Sequence, residues 1–252
     1  MQVIKRDFLP DDLKPLLDSS GISATVAVQA DQSMDETMFL LELAEKFSFI
    51  KGVVGWIDLR SPQLSQQLDL LKPQSKLKGF RHIVQAEPDP DFLLQPDFLR
   101  GLREISARGF SYDILIKDNQ LSAAATFCRI LRDSFLVIDH LAKPPIRSGE
   151  WREWAAEIKK FAELDHVHCK VSGMVTEADW KNWKPDHFKI YLDVITEVFG
   201  TDRLIYGSDW PVCLLAADYH SQLNILLDYF SAFTAGEKSA VFHDNAQRFY
   251  RL

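Results

Sequence analysis

The sequence predicts an α/β protein with a TIM-barrel-like (β/α)8 fold whose first strand is missing, leaving seven strands visible. Three observations carry this expectation. Short β-branched or aromatic runs alternate without a break with longer segments of helical period, the pattern of βα units that build a parallel sheet. A helical segment precedes the first strand and one follows each of the seven strands, which makes eight before a last one at the carboxyl terminus and is the arithmetic of a barrel lacking its opening strand. Polar side chains stand at many strand ends, and no Gly-rich phosphate loop follows the first strand; both disfavour a doubly wound open sheet.

In chain order, a helix at 11–19 comes before any strand. Strand candidates follow at 25–30 (TVAVQA), 53–59 (VVGWIDL), 77–84 (LKGFRHIV), 111–116 (SYDILI), 134–141 (SFLVIDHL), 167–174 (VHCKVSGM) and 203–208 (RLIYGS). Helical periods fall between them at 34–47, 62–72, 89–108, 120–132, 150–163, 185–199 and 217–232, with a last one at 236–250. Ser33 and Glu36 have capping-box spacing ahead of a helix whose apolar residues Phe39, Leu40, Leu43, Ala44 and Phe47 share a face. Gly109 and Gly200 stand where helices should stop. No low-complexity linker, internal repeat or compositional shift divides the chain, so residues 1–252 read as one barrel domain.

Composition narrows the function classes. A formal charge of −7 without a basic stripe argues against a nucleic-acid partner. Cys128, Cys169 and Cys213 lack C-x-x-C spacing, so neither a disulfide framework nor a zinc knuckle is expected, and a reducing cytoplasm fits. The amino terminus has no apolar signal core and no apolar stretch reaches spanning length, so no membrane is expected. The expected partner is a small-molecule substrate; the oligomeric state stays open.

The chemistry-bearing residues sit at strand ends. Asp209 closes the strand at 203–208 and precedes Trp210 and Pro211, which force a turn; a carboxylate there suits a general base toward water or a metal ligand. His140 ends the apolar run through Ile138, and period-two alternation places it opposite Asp139, so that one of the two faces the barrel interior. A neutral imidazole there can polarise a carbonyl, bind a metal or shuttle a proton. Arg81 and His82 are adjacent, so one points inward and the other outward, and arginine offers a fork for a carboxylate or polyhydroxylated substrate. Gln29, Trp56, Lys170, Ser172 and Trp210 are further candidates for substrate contact, and Trp180 and Trp183 could wall a sugar-like ligand. His166 and His168 have metal-ligand spacing but lie at the wrong end of a barrel strand, and His187, His220 and His243 fall in helical segments as surface or packing residues.

The strings GFRH at 79–82, VIDHLAKP at 137–144, CKVSG at 169–173 and YGSDWP at 206–211 come in the order found in the amidohydrolase-2 family, and the whole chain resembles its sugar-acid lactonase branch. The opening at 6–13 (RDFLPDDL) is similar to that branch as well. The resemblance implies a distorted (β/α)8 barrel that opens a small lactone at its carboxyl face, with Asp209 activating water and His140 polarising the carbonyl or binding metal. Alternatives within the resemblance are a decarboxylase of the same superfamily or an inactive ligand-binding barrel. The family begins with a strand carrying His-x-His, and the sequence begins after it. No tightly held metal is therefore expected in this chain, with His140 and Asp209 as weak ligands, whereas a longer form carrying that strand would add a place for zinc or manganese.

Overall fold

A computed structural model describes residues 2–252. Seven strands, β1 (Thr25–Val28), β2 (Ile50–Gly55), β3 (Leu77–His82), β4 (Ser111–Ile114), β5 (Leu136–Ile138), β6 (Val167–Val171) and β7 (Leu204–Tyr206), pair in parallel in sequence order. Right-handed crossovers that always step to the next strand put the connecting helices on one face and leave the other face to curl inward. The sheet is therefore a TIM-type barrel wall, with free edges at β1 and β7 among the described residues.

The helices are α1 (Pro10–Ser19), α2 (Met34–Lys46), α3 (Leu64–Leu71), α4 (Pro96–Ala107), α5 (Leu121–Ile130), α6 (Trp151–Ile158), α7 (Met174–Glu177), α8 (Asp186–Phe199), α9 (Tyr219–Tyr229), α10 (Ala235–Ser239) and α11 (Asn245–Tyr250). Ser33 caps α2 by accepting the Glu36 N–H, and α8 ends at Gly200 with φ 61°, a left-handed value that glycine takes without strain. Phe39 does not join the buried face of α2; it is exposed, and Thr37, Leu41 and Ala44 are buried in its place. The reason lies in Thr37. Its hydroxyl accepts the Trp56 N–H (2.8 Å) and donates to the Trp56 carbonyl (2.9 Å), which turns that side of the helix to the sheet and ends β2 at Gly55.

Every strand stops before its expected carboxyl end, although Gln29 and Asp139 still donate their backbone N–H groups to the neighbouring strands at Val54 and Ile114. The expected helix at 89–108 begins only at Pro96, since the residue before a proline is held extended and Gln95 has ψ 132°. The span expected as one helix at 236–250 is three pieces, with a π-helical turn at Ala240–Asp244 between α10 and α11.

Two apolar clusters hold the wall. The larger fills the space between sheet and helices. The smaller lines the inside of the curl: Val54, Val137 and Ile205 pack with Phe249 and Tyr250 of α11, and Val26 and Val28 join them. Residues from α11 therefore close the amino-terminal end of the barrel. Asn245 fastens this plug by donating to the carbonyls of Thr201 and Leu204, both at 2.7 Å, and the Phe249 ring meets those of Phe135 and His168. His168 thus lies at the barrel floor, where burial pushes its imidazole down to about 4, while His166 bonds the Cys128 carbonyl.

Candidate functional site

At the carboxyl end of β5 the backbone does something the alternation rule does not foresee. His140, Leu141, Ala142 and Lys143 all have φ between 50° and 56°, so four consecutive non-glycine residues form a left-handed turn. It is closed by Ala142 N–H to Asp139 O (2.9 Å) and Lys143 N–H to His140 O (2.7 Å). Such a conformation persists only where its surroundings enforce it. Its consequence is that Asp139 and His140 both serve the interior, although alternation allowed only one of them to do so.

Asp209 is also left-handed, at φ 51°, on the loop after β7. The two turns bring His140 Nε2 to 3.6 Å from Asp209 Oδ1, with both side chains nearly buried. The other ring nitrogen, Nδ1, lies 2.8 Å from Ser172 Oγ. Two facing lone pairs would repel, so the carboxylate favours the tautomer with the proton on Nε2 and Nδ1 accepting from the serine hydroxyl. Burial lowers the basicity of His140 more than the Asp209 and Asp139 charges raise it, and Arg81 and Lys143 push the same way as burial. The imidazole is therefore neutral at neutral pH.

Gly173, at φ 66°, makes room for the ring. A Cβ there would stand 2.8 Å from Cβ, Cγ and Nδ1 of His140. Gly173→Ala is expected to displace the imidazole and lower turnover by about 100-fold, the scale of an ångström misplacement. The control is Gly149→Ala, where φ is 73° but nothing lies within 4 Å, so only the backbone cost applies. Steady-state rates of the two variants check this, with loss expected in the first alone.

Beneath the dyad lies a buried layer of charge. Lys170 Nζ sits 2.5 Å from Asp113 Oδ2 and 2.7 Å from Asp139 Oδ1, and Arg81 Nη1 donates to Asp139 Oδ2 at 2.8 Å. Arg81 Nη2 donates to the Gln29 carbonyl, and Gln29 Nε2 returns a bond to the Arg81 carbonyl at 2.9 Å. The layer has two cations and two anions, which is how buried charge is tolerated. Burial would raise the Asp139 carboxyl, but Lys170 and Arg81 outweigh it and hold it far below the usual range. Burial wins at Asp113, whose carboxyl is raised despite Lys170. Burial would likewise lower the Lys170 ammonium, yet the two carboxylates keep it well above its ordinary value. Asp113 was not among the sequence candidates, although a carboxylate between Tyr112 and the apolar run Ile114–Ile116 was the available signal.

The remaining candidates divide between the site's rim and its exterior. Arg81 points inward and His82 outward, as alternation requires. His82 stacks on Phe92 with ring centroids 5.0 Å apart, accepts the Trp56 indole N–H at Nδ1 (3.3 Å) and meets Glu87 at Nε2 (2.7 Å). Trp56 and His82 thus form a cluster of their own. Trp210, next to Asp209, stands edge-on to Phe8 at 5.3 Å. Trp183 bonds the Ala216 carbonyl and Trp180 the Thr176 carbonyl, both at 2.8 Å. His187 and His243 bond sequence neighbours on the surface, and His220 Nε2 lies 2.9 Å from Ser19 Oγ at the end of α1.

Comparison with known proteins extends the geometry. The sequence profile of the amidohydrolase family matches residues 2–252. The chain is 41% identical to an L-fucono-1,5-lactonase of Burkholderia multivorans, covering 100% of this chain and 88% of that protein. A protein of the same name from Burkholderia ambifaria is 36% identical, with 100% and 88% covered. A crystal structure of an amidohydrolase from Burkholderia multivorans with bound zinc superposes with a TM-score of 0.96 at 41% identity, covering 100% of this chain and 91% of that one.

Proposed function

The chain belongs to the amidohydrolase family, and from that premise we propose that it is a hydrolase that opens a sugar-acid lactone, with Asp209 and His140 as its catalytic pair. The single observation that carries this reading is the facing of Asp209 Oδ1 and His140 Nε2 at 3.6 Å at the carboxyl end of the barrel, in a chain 41% identical to an L-fucono-1,5-lactonase.

The reaction needs an activated water, a polarised carbonyl and a proton for the departing oxygen. Asp209 accepts a proton as the water oxygen bonds to the carbonyl carbon. The Nε2–H of His140, oriented by Ser172, donates a hydrogen bond to the oxygen that gains charge. Collapse of the tetrahedral intermediate breaks the ring C–O bond, and the proton held by Asp209 passes to the alkoxide. Lactone and water give one hydroxy acid, and the protein is returned unchanged. We assign Trp210, beside Asp209, to contact with the sugar ring.

The relative crystallised with zinc raises the question of a metal. Nε2 and Oδ1 at 3.6 Å approach the about 3.3 Å separating two ligands on a tetrahedral zinc. A catalytic zinc takes three protein ligands, however, and no group of three or more His, Cys, Asp or Glu among the described residues could hold an ion. Both nitrogens of His82 are already engaged. The residues described offer a metal two ligands only, His140 and Asp209.

The test is a panel of aldonolactones read by acid release alongside aromatic carboxylic acids read by carbon dioxide release. Acid from the lactones without decarboxylation is the expected result. Carbon dioxide without lactone opening would assign a decarboxylase to the same barrel. All three cysteines are free and buried, which supports a reducing compartment as its place of work. No helix among the described residues is long and apolar enough to cross a membrane.

A further inference from the structure

We propose that Tyr250, at the opposite end of the barrel from the dyad, is a positioning residue for the His140 turn, acting through Asp113, Lys170 and Asp139. The Tyr250 phenol donates to Asp113 Oδ2 at 2.9 Å, the same oxygen that Lys170 Nζ meets at 2.5 Å. Lys170 reaches on to Asp139 at 2.7 Å, and Arg81 holds the other oxygen of Asp139. Asp139 opens the turn. Its N–H donates to the Ile114 carbonyl at 3.0 Å and its carbonyl accepts the Ala142 N–H at 2.9 Å. A single line of contacts thus runs from residue 250 to the backbone that carries His140.

The physical reason is competition for one ammonium. Lys170 is shared between two buried carboxylates, and its position depends on how well each is satisfied by others. Tyr250 satisfies Asp113 without adding charge. Among the described residues Asp113 Oδ1 has no hydrogen-bond partner, so when the phenol is lost Lys170 is the one side chain there for Asp113 to turn to. The ammonium is then drawn from Asp139, whose hold on the turn loosens. A left-handed run at φ 50–56° has no intrinsic preference for that shape and relaxes when its anchor does. Tyr250→Phe keeps the ring in the inner apolar cluster, so the floor of the barrel stays packed.

The experiment is hydrogen exchange on the full chain, comparing wild type, Tyr250→Phe and Phe249→Leu. The last disturbs the same helix without touching the bond to Asp113. Exchange over residues 139–143 is expected to rise on the order of tenfold in Tyr250→Phe alone, the scale of one hydrogen bond to a charged group. No rise in Tyr250→Phe, or an equal rise in both variants, would overturn the proposal. A kinetic arm rests on the lactonase reading: Tyr250→Phe and Asp113→Asn should each lower kcat with KM held, and the double variant should be no worse than the poorer single one. Additive losses, or a change in KM alone, would count against it. If the wild type opens no lactone, that reading fails by itself, and the exchange result still decides the role of Tyr250.

Discussion

Asp209→Asn is expected to lower kcat for lactone opening by about 1,000-fold while KM and the unfolding midpoint stay near their wild-type values. General-base catalysis contributes roughly 100- to 10,000-fold, and the amide has no basic site to accept the water's proton. The substitution is also a clean one. Asp209 sits at φ 51°, and asparagine is among the few residues that tolerate left-handed backbone, so the turn survives the change. A loss in KM alone, with kcat intact, would make Asp209 a binding group. Steady-state kinetics together with a urea melt separate the two.

Lys170→Met is expected to destabilise the fold by about 3–5 kcal/mol, the cost of leaving a buried ion pair without one partner. Among the described residues its ammonium is the only cation within contact of Asp113 Oδ2, and it shares Asp139 with Arg81. Removing it leaves two buried carboxylates facing a single guanidinium. In a chain of this length each kcal/mol moves the melting temperature by about 2–4 °C, so a fall of the order of 10 °C should be seen. The double variant Lys170→Met/Asp113→Leu removes a whole pair and should recover part of the loss, since well-packed apolar replacements of buried pairs are often tolerated. Were Lys170 free to bind substrate, the single variant would instead raise KM at unchanged stability.

The barrel was legible because its signal is repeated: each βα unit announces itself by period, and the sequential order of seven parallel strands follows from that alternation. Asp209 and His140 were legible for a related reason, as polar residues that end apolar runs. What the sequence concealed is geometry set by tertiary contact. Nothing in Leu141 or Ala142 favours positive φ, so the turn that delivers His140 and Asp139 to the same interior reads as a continuing strand. The end of β2 depends on a threonine 19 residues earlier, and the partner of Asp113 is a tyrosine 137 residues later. Arg81 and Lys170 were read as candidates for substrate contact, with either Arg81 or His82 facing inward, but whether such a cation meets substrate or carboxylate depends on Asp113 and Asp139, which local pattern does not connect to them.

The account is tested most directly by the rate of acid release from L-fucono-1,5-lactone, with spontaneous opening subtracted, for the wild type, Asp209→Asn and His140→Ala. It predicts saturable acceleration by the wild type and rates close to background for both variants, each folded by circular dichroism. A wild-type rate no greater than background, or full activity in either variant, would contradict it.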